Sequence, residues 1–307
     1  KIMLSTFHSL KKWAEYEKVH YTLSDKDVHD VQKLLLLIMD DIHDVCTENN
    51  LRYVITGGCA IGAVRHKGFI PWDDDIDICL LRKDYDRLPE LINKAYPGKY
   101  TVQNINTSPD YDLNFMKIRL NGTRFVEPAD NDRRNAGLFI DVFPIENVRK
   151  SRIGRLWQRF TSDGLQFICS CVRIKDKYRR MGAVIEADPE LGRMLGKKKA
   201  IGTLFSFRSL RKWLLTTEKA LSNCHNDKSD IIAIPAGRGH FGGEQYLRKW
   251  FMDPVLMQYE DRQYFFPKEI HKYLSHLYGN YMTIPDEADR ERHTIIEYDI
   301  SKYADMI

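Results

Sequence analysis

The sequence predicts an α/β protein (an α+β mixed sheet) over residues 1–149, joined to a mostly helical region over 150–307. Three observations carry this. Short apolar runs of strand length recur through the first half, and segments of helical periodicity separate them. After about residue 149 the composition turns basic and glycine-punctuated.

Residues 24–50 read as a helix. Ser24 or Asp25 caps it, Val31, Leu34, Leu35, Ile38, Ile42 and Val45 recur at helical spacing, and Asn49-Asn50 stops it. LRYVIT (51–56) reads as a strand running straight into Gly57-Gly58 and a short helix through 59–65. A loop leads to a second strand, DIDICLL (75–81), and a helix over 84–95 follows. Strands come next at 100–105, 114–120 and 123–127. Asn121-Gly122 predicts a type I′ hairpin between the last two, because Asn-Gly readily takes positive φ. GLFIDVFPI (137–145) is an apolar strand with one acid inside it, Asp141. In the second region 206–226 is the clearest helix, 231–235 a short strand, and 271–282 a further helix.

With 307 residues, 43% hydrophobic, the chain is long enough for one large domain or two modest ones. A net charge of +4 admits anionic partners such as nucleotides. It is thin for a nucleic-acid groove, so no nucleic-acid partner is expected. The six cysteines show no framework spacing and suit a reducing compartment. Cys59 and Cys79 read as core residues, and Cys169-Ser-Cys171 lacks the companion pair a zinc site needs. No apolar run reaches the roughly 20 residues that cross a bilayer, and the opening residues do not read as a signal peptide. A cytoplasmic location is expected.

The chemistry concentrates in GFIPWDDDIDICLL (68–81), where Asp73, Asp74, Asp75 and Asp77 crowd together. Side chains alternate along a strand, so Asp75 and Asp77 share a face, and Asp141 on another strand can meet them. Such carboxylates are costly together unless a cation neutralises them, and Mg²⁺ is commonly held by one or two carboxylates plus substrate phosphates. Asp73 and Asp74 read as solvated loop acids. The Gly57-Gly58 turn lets backbone N–H groups approach a phosphate at a helix start. Arg65, His66 and Lys67 follow that helix as further anion contacts, and Lys117 and Arg119 alternate onto one strand face where they could join them.

Glycine pair, Asp-x-Asp strand and later acid, in this order, resemble the nucleotidyltransferase fold. More closely, GGCAIGAVRHKGFIPWDDDIDICLLRKDYDRL (57–88) resembles the signature of the LicD family, the phosphocholine transferases of bacterial surface glycans. The likeness continues at 117–127, 137–148 and 277–293, and extends to fukutin and fukutin-related protein, which transfer ribitol phosphate.

The resemblance implies transfer of a phosphoalcohol, phosphocholine first, from a CDP-activated donor such as CDP-choline. The acceptor is a sugar hydroxyl of a cell-surface glycan, teichoic acid or lipid-linked precursor, CMP is released, and Mg²⁺ or Mn²⁺ assists. Asp75 and Asp77 become metal ligands with Asp73 assisting. Asp141 either shares the metal or takes the acceptor's proton, and Gly57, Gly58 and Arg65 cradle the diphosphate. Cys59 stands where the family more often has a small hydroxyl residue. The alternatives are ribitol- or glycerol-phosphate transfer, a nucleotidyltransferase releasing pyrophosphate, or a non-catalytic binding module.

For the basic 150–213 segment two readings stand. It lies peripherally against the inner face of a membrane (the Golgi lumen for a eukaryotic source), or it is a solvated face with Trp157 and Trp213 buried. The 235–245 loop, with Arg238 and His240, is an acceptor loop, a lid or a connector. The aromatic stripe at 264–282 packs in the core or boxes a choline, and His293 reads as structural.

Overall fold

A computed structural model describes residues 14, 20–131, 133–287, 290 and 292–307. Helix α1 (Asp25–Glu48) opens on a capping box: the Ser24 hydroxyl accepts the Asp27 N–H, and the Asp27 carboxylate accepts the Ser24 N–H. It ends at Asn49, and Asn50 takes φ 54°, a conformation that asparagine tolerates. Its stripe of Val31, Leu34, Leu35, Ile38 and Ile42 is fully buried in the main core.

The strands β1 (Tyr53–Ile55), β2 (Asp77–Leu81), β3 (Tyr100–Gln103), β4 (Met116–Leu120) and β6 (Phe139–Asn147) form a mixed sheet in the order β1-β2-β6-β4-β3. Only β2 and β6 run parallel. Helix α2 (Gly57–His66) fills the connection from β1 towards β2. The expected helix over 84–95 is divided into a single turn, Arg82–Tyr85, and α3 (Leu88–Ala95), whose first turn carries Pro89.

The expected hairpin does not form. β5 (Arg124–Val126) leaves β4 and pairs with β11 (Glu297–Asp299), because both edges of β4 are taken by β3 and β6. Of the Asn121-Gly122 pair only Gly122 takes a positive φ, 88°. The turn signal was local, and the sheet around it decided the pairing.

Beyond residue 149 the chain is helical through α4 (Arg152–Lys177), α5 (Pro189–Leu204) and α6 (Leu210–Leu221), with α5 and α6 each packed against α4. It then returns to the sheet. β7 (Ile231–Ala233) pairs with the end of β6, and β8 (Gln245–Leu247) pairs with β7. The hairpin β9 (Val255–Tyr259) and β10 (Arg262–Phe266) and helix α7 (Ile270–Tyr278) bury Tyr264, Phe266 and Tyr273 in the main core, and Phe265, Tyr278 and Tyr281 are partly buried against it. Cys169 and Cys171 are buried free thiols, and Cys169 contacts Thr217. Among the described residues no helix is long and apolar enough to cross a membrane.

Candidate active site

Strand register builds the centre. Asp77 of β2 lies beside Asp141 of β6, Asp141 beside Lys117 of β4, and Lys117 beside Gln103 of β3. Cross-strand neighbours share a face and lie about 4.8 Å apart, so these four residues form one row across the sheet. Asp75 precedes the strand rather than belonging to it, yet its carboxylate still reaches the group. Ligand atoms of Asp73, Asp75 and Cys59 lie within 4.8 Å of one another. The Asp141 N–H donates to the Ile76 carbonyl (3.1 Å), and Gln32 of α1 donates to the Asp73 carbonyl (2.9 Å), which fixes the loop.

The glycine pair is required by these acids. Gly57 has φ 63°, and a Cβ there would come within 2.7 Å of Asp77 Oδ2. A Cβ on Gly58 would come within 2.9 Å of Asp73 Oδ2. The start of α2, where helix N–H groups collect positive potential, is thus pressed against two carboxylates. The Gly57 N–H donates to the Tyr273 hydroxyl (2.9 Å), so that donor is engaged within the protein.

Lys117 and His293 hold the cluster. Lys117, 2% exposed, has Nζ 3.0 Å from Glu127 Oε2 and 3.0 Å from Asp141 Oδ1. His293 was expected to be structural, and its ring bridges three of the acids. Its Nδ1 is 2.9 Å from Asp74 Oδ1 and 3.9 Å from Asp75 Oδ2, and its Nε2 is 3.8 Å from Glu127 Oε1. Burial opposes its charge, but Asp74, Asp75 and Glu127 outweigh burial and push its pKa well above the usual imidazole value. Asp74, expected in solvent, is buried at 2% exposure and accepts both the ring and the backbone N–H of His293.

Six carboxylates (Asp73, Asp74, Asp75, Asp77, Glu127, Asp141) therefore crowd around Lys117 and His293, with Arg65 and Arg119 acting from the edges. Burial first, then mutual repulsion, raises Asp73 and Asp77 well above the ordinary range. Asp75 is pushed up to about 6, chiefly by burial, with His293 opposing. Burial also raises Asp141, against the pull of Lys117. Glu127 goes the other way: burial is overcome by Lys117, His293 and Arg119, and it is held down at about 2. Among the described residues, Asp73 Oδ2 and Asp74 Oδ2 are buried without a hydrogen-bond partner. Hard oxygen donors with free lone pairs fit a divalent cation.

The remaining expected residues divide. Arg65 donates to the carbonyls of Tyr281 (3.3 Å) and Thr283 (3.4 Å), and burial lowers its pKa while the charge of Asp73 opposes. His66 and Lys67 are exposed, and Lys67 closes α2 with φ 61°. Arg119 is not available to a phosphate. It is 1% exposed and donates to Gln103 (2.7 Å), the Gly137 carbonyl (3.0 Å) and Asp130 (2.5 Å), which locks β4 to its surroundings. Cys59 is buried as expected, and its thiol donates to the Asp75 carbonyl (3.3 Å).

Two features were missed. Glu244, ending the glycine-rich loop, is buried. It accepts the Gly239 N–H (2.8 Å) and the Tyr246 hydroxyl (3.2 Å), and burial pushes it up to about 7. The loop is thus folded around a buried acid. The second is a cavity of about 190 Å³ beyond the Lys117 end of the row, lined by Thr101, Gln103, Tyr111, Glu127, Asp130 and Asn131 among others. The Tyr111 hydroxyl is buried there with no hydrogen-bond partner among the described residues.

A glycine-framed helix start against clustered carboxylates on a mixed sheet suits metal-assisted chemistry on a phosphate. Residues 50–170 match the profile of the LicD/FKTN/FKRP nucleotidyltransferase domain. The chain is 28% identical over 281 residues to the lipopolysaccharide cholinephosphotransferase LicD of Haemophilus influenzae, covering 88% of this chain and 97% of that one. It is also 36% identical over 110 residues to an uncharacterised protein of Rickettsia prowazekii, covering 33% and 41%. Residues 50–170 thus carry the LicD family profile, and the chain is similar to a LicD phosphotransferase along most of its length.

Proposed function

We propose that the protein transfers phosphocholine from CDP-choline to a sugar hydroxyl and releases CMP. The observation that carries this is the row Lys117–Asp141–Asp77 with Asp73 and Asp75 packed over the start of α2. The name of the Haemophilus relative supports choline as the alcohol and a saccharide as the acceptor. Asp75 and Asp77, with Asp73, would hold Mg²⁺ or Mn²⁺, which when bound supplies positive charge to the diphosphate.

The acceptor oxygen bonds to the choline-bearing phosphorus. The bond from that phosphorus to the bridging oxygen breaks, and CMP leaves with the electron pair. Asp141 takes the hydroxyl proton, because it lies between Lys117 and Asp77 in the row and Lys117 steadies it. The chain's own part is positioning and charge, since phosphoryl transfer needs little covalent work.

The test is product analysis. CDP-choline, CDP-ribitol, CDP-glycerol and CTP are each incubated with the protein, a lipopolysaccharide-derived oligosaccharide and Mg²⁺ or Mn²⁺. CMP from CDP-choline that depends on both oligosaccharide and cation is expected. CMP from another donor alone reassigns the alcohol, and pyrophosphate from CTP establishes a nucleotidyltransferase instead.

The cavity is the acceptor subsite of this reading, since hydroxyl, amide and carboxylate groups line it. Tyr111→Phe removes one partnerless hydroxyl, so thermal stability should hold or rise slightly. The acceptor KM should climb about tenfold while the donor KM stays put, as for loss of one buried hydrogen bond. An unchanged acceptor KM would remove Tyr111 from the subsite.

A further inference from the structure

The first three turns of α4 present an apolar stripe to solvent. Ile153, Leu156, Trp157 and Phe160 are 82%, 67%, 63% and 72% exposed. Their spacing places them within about a third of the helix circumference. Gln158 and Ser162, 2% and 0% exposed, mark the opposite face as the one packed on the protein. Trp213 is buried as one reading of the sequence required, but Trp157 is not: its ring stacks on Phe160 with centroids 6.1 Å apart. Contiguous exposed large side chains mark an interaction surface.

Charge selects the partner. Arg149, Lys150, Arg152, Arg155 and Arg159 flank the stripe, against one acid, Asp163, which pairs with Arg159 (3.6 Å). We propose that this face docks on an anionic lipid bilayer, with Trp157 and Phe160 in the headgroup region and the arginines on lipid phosphates. A helix with an apolar face beside a cationic one is the form that lies in a membrane interface. A second copy of the chain fits worse, because a two-fold contact would set the same five cations against each other. Four side chains also fall well short of the roughly 20–30 residues a side of a stable protein interface.

The docking face is tied to the strand that carries Asp141. Gln158 accepts the Arg149 N–H (3.0 Å) and donates to the Asn147 carbonyl (2.9 Å) at the end of β6. Asn147 lies about 20 Å along that strand from Asp141. Docking thus couples the lipid surface to the strand that carries Asp141. The inference stands apart from the transferase reading, because its readout is lipid binding.

The test is co-sedimentation of the full chain with vesicles of phosphatidylcholine alone or mixed with phosphatidylglycerol, with tryptophan emission recorded in parallel. Binding is expected only with phosphatidylglycerol. It should weaken by about tenfold or more when salt is raised to shorten electrostatic range, and emission should shift to the blue. The double variant Trp157→Ser/Phe160→Ser should lose binding and the shift while keeping the wild-type melting temperature. Arg155→Gln/Arg159→Gln should lose binding in part. Wild-type binding by the Trp157→Ser/Phe160→Ser variant, equal binding to both vesicles, or no binding to either would overturn the proposal. So would a wild-type dimer in solution that this variant converts to monomer, since the stripe would then belong to a second copy.

Discussion

Asp77→Asn is expected to abolish transfer and at the same time to stabilise the metal-free protein. The two effects have one cause. Asp77 lies in the acid row beside Asp141, and burial, Asp75 and Asp141 together hold its pKa well above the ordinary carboxylate value, with His293 and Lys117 opposing. A group whose folded pKa is raised lends stability at low pH, and that stability is lost as pH rises through the folded value. For Asp75 the window runs from about 4 in the unfolded chain to about 6 in the fold. Asp73 and Asp77 also lie well above the ordinary carboxylate value.

Asparagine keeps the shape against Gly57 and removes the charge. The variant should therefore melt a few degrees above wild type at pH 7.5 and close to it at pH 5. Added Mg²⁺ or Mn²⁺ should raise the wild-type melting temperature at pH 7.5, an effect worth about 2.7 kcal/mol at a hundred times Kd. The same cation should do little for the variant. CMP release should fall by about 10³-fold or more, the scale of losing a charge-stabilising group. Wild-type turnover in the folded variant, or a lower melting temperature at pH 7.5, would refute the account.

What the sequence made legible was whatever depends on neighbours along the chain. Alternation placed Asp77 correctly, the glycine pair marked the start of α2, and helical periodicity found α1 to within two residues at each end. What it hid depends on partners far away. Asp74 looked like a solvated loop acid because its partner, His293, lies 219 residues along the chain. Arg119 looked like a phosphate ligand because strand alternation gives a face but not its occupants, and Gln103, Gly137 and Asp130 already fill that face. The Asn-Gly turn gave a correct local bend and a wrong pairing, since neighbouring strands had claimed both edges of β4. Trp157 could not be told from Trp213 by composition. Only the packing of α4 shows which ring faces water.

Lys117→Met should cost more stability than most single substitutions in this chain, and it should do so through charge rather than volume. Methionine retains the apolar stem that crosses the Phe139 ring, over which Nζ lies 3.2 Å from the centroid. It removes the cation shared by Glu127 and Asp141, both 3.0 Å away. Breaking a buried pair from one side costs about 3–5 kcal/mol, because the remaining charge is left uncompensated. For a chain of this size that is a fall in melting temperature on the order of 10 °C. Adding Glu127→Gln should recover part of the loss, since the amide no longer needs the lysine, and the recovered part measures the coupling. A volume effect would add rather than recover. The pH profile separates support of the fold from support of the chemistry. Lys117 lowers the Asp141 pKa against the upward push of burial, so without it Asp141 holds its proton to higher pH. The acid limb of CMP release should therefore move to higher pH in Lys117→Met, whereas a purely structural lysine would leave that limb in place. Equal stability together with an unmoved acid limb would show that the row across β2, β6 and β4 does not act as one unit.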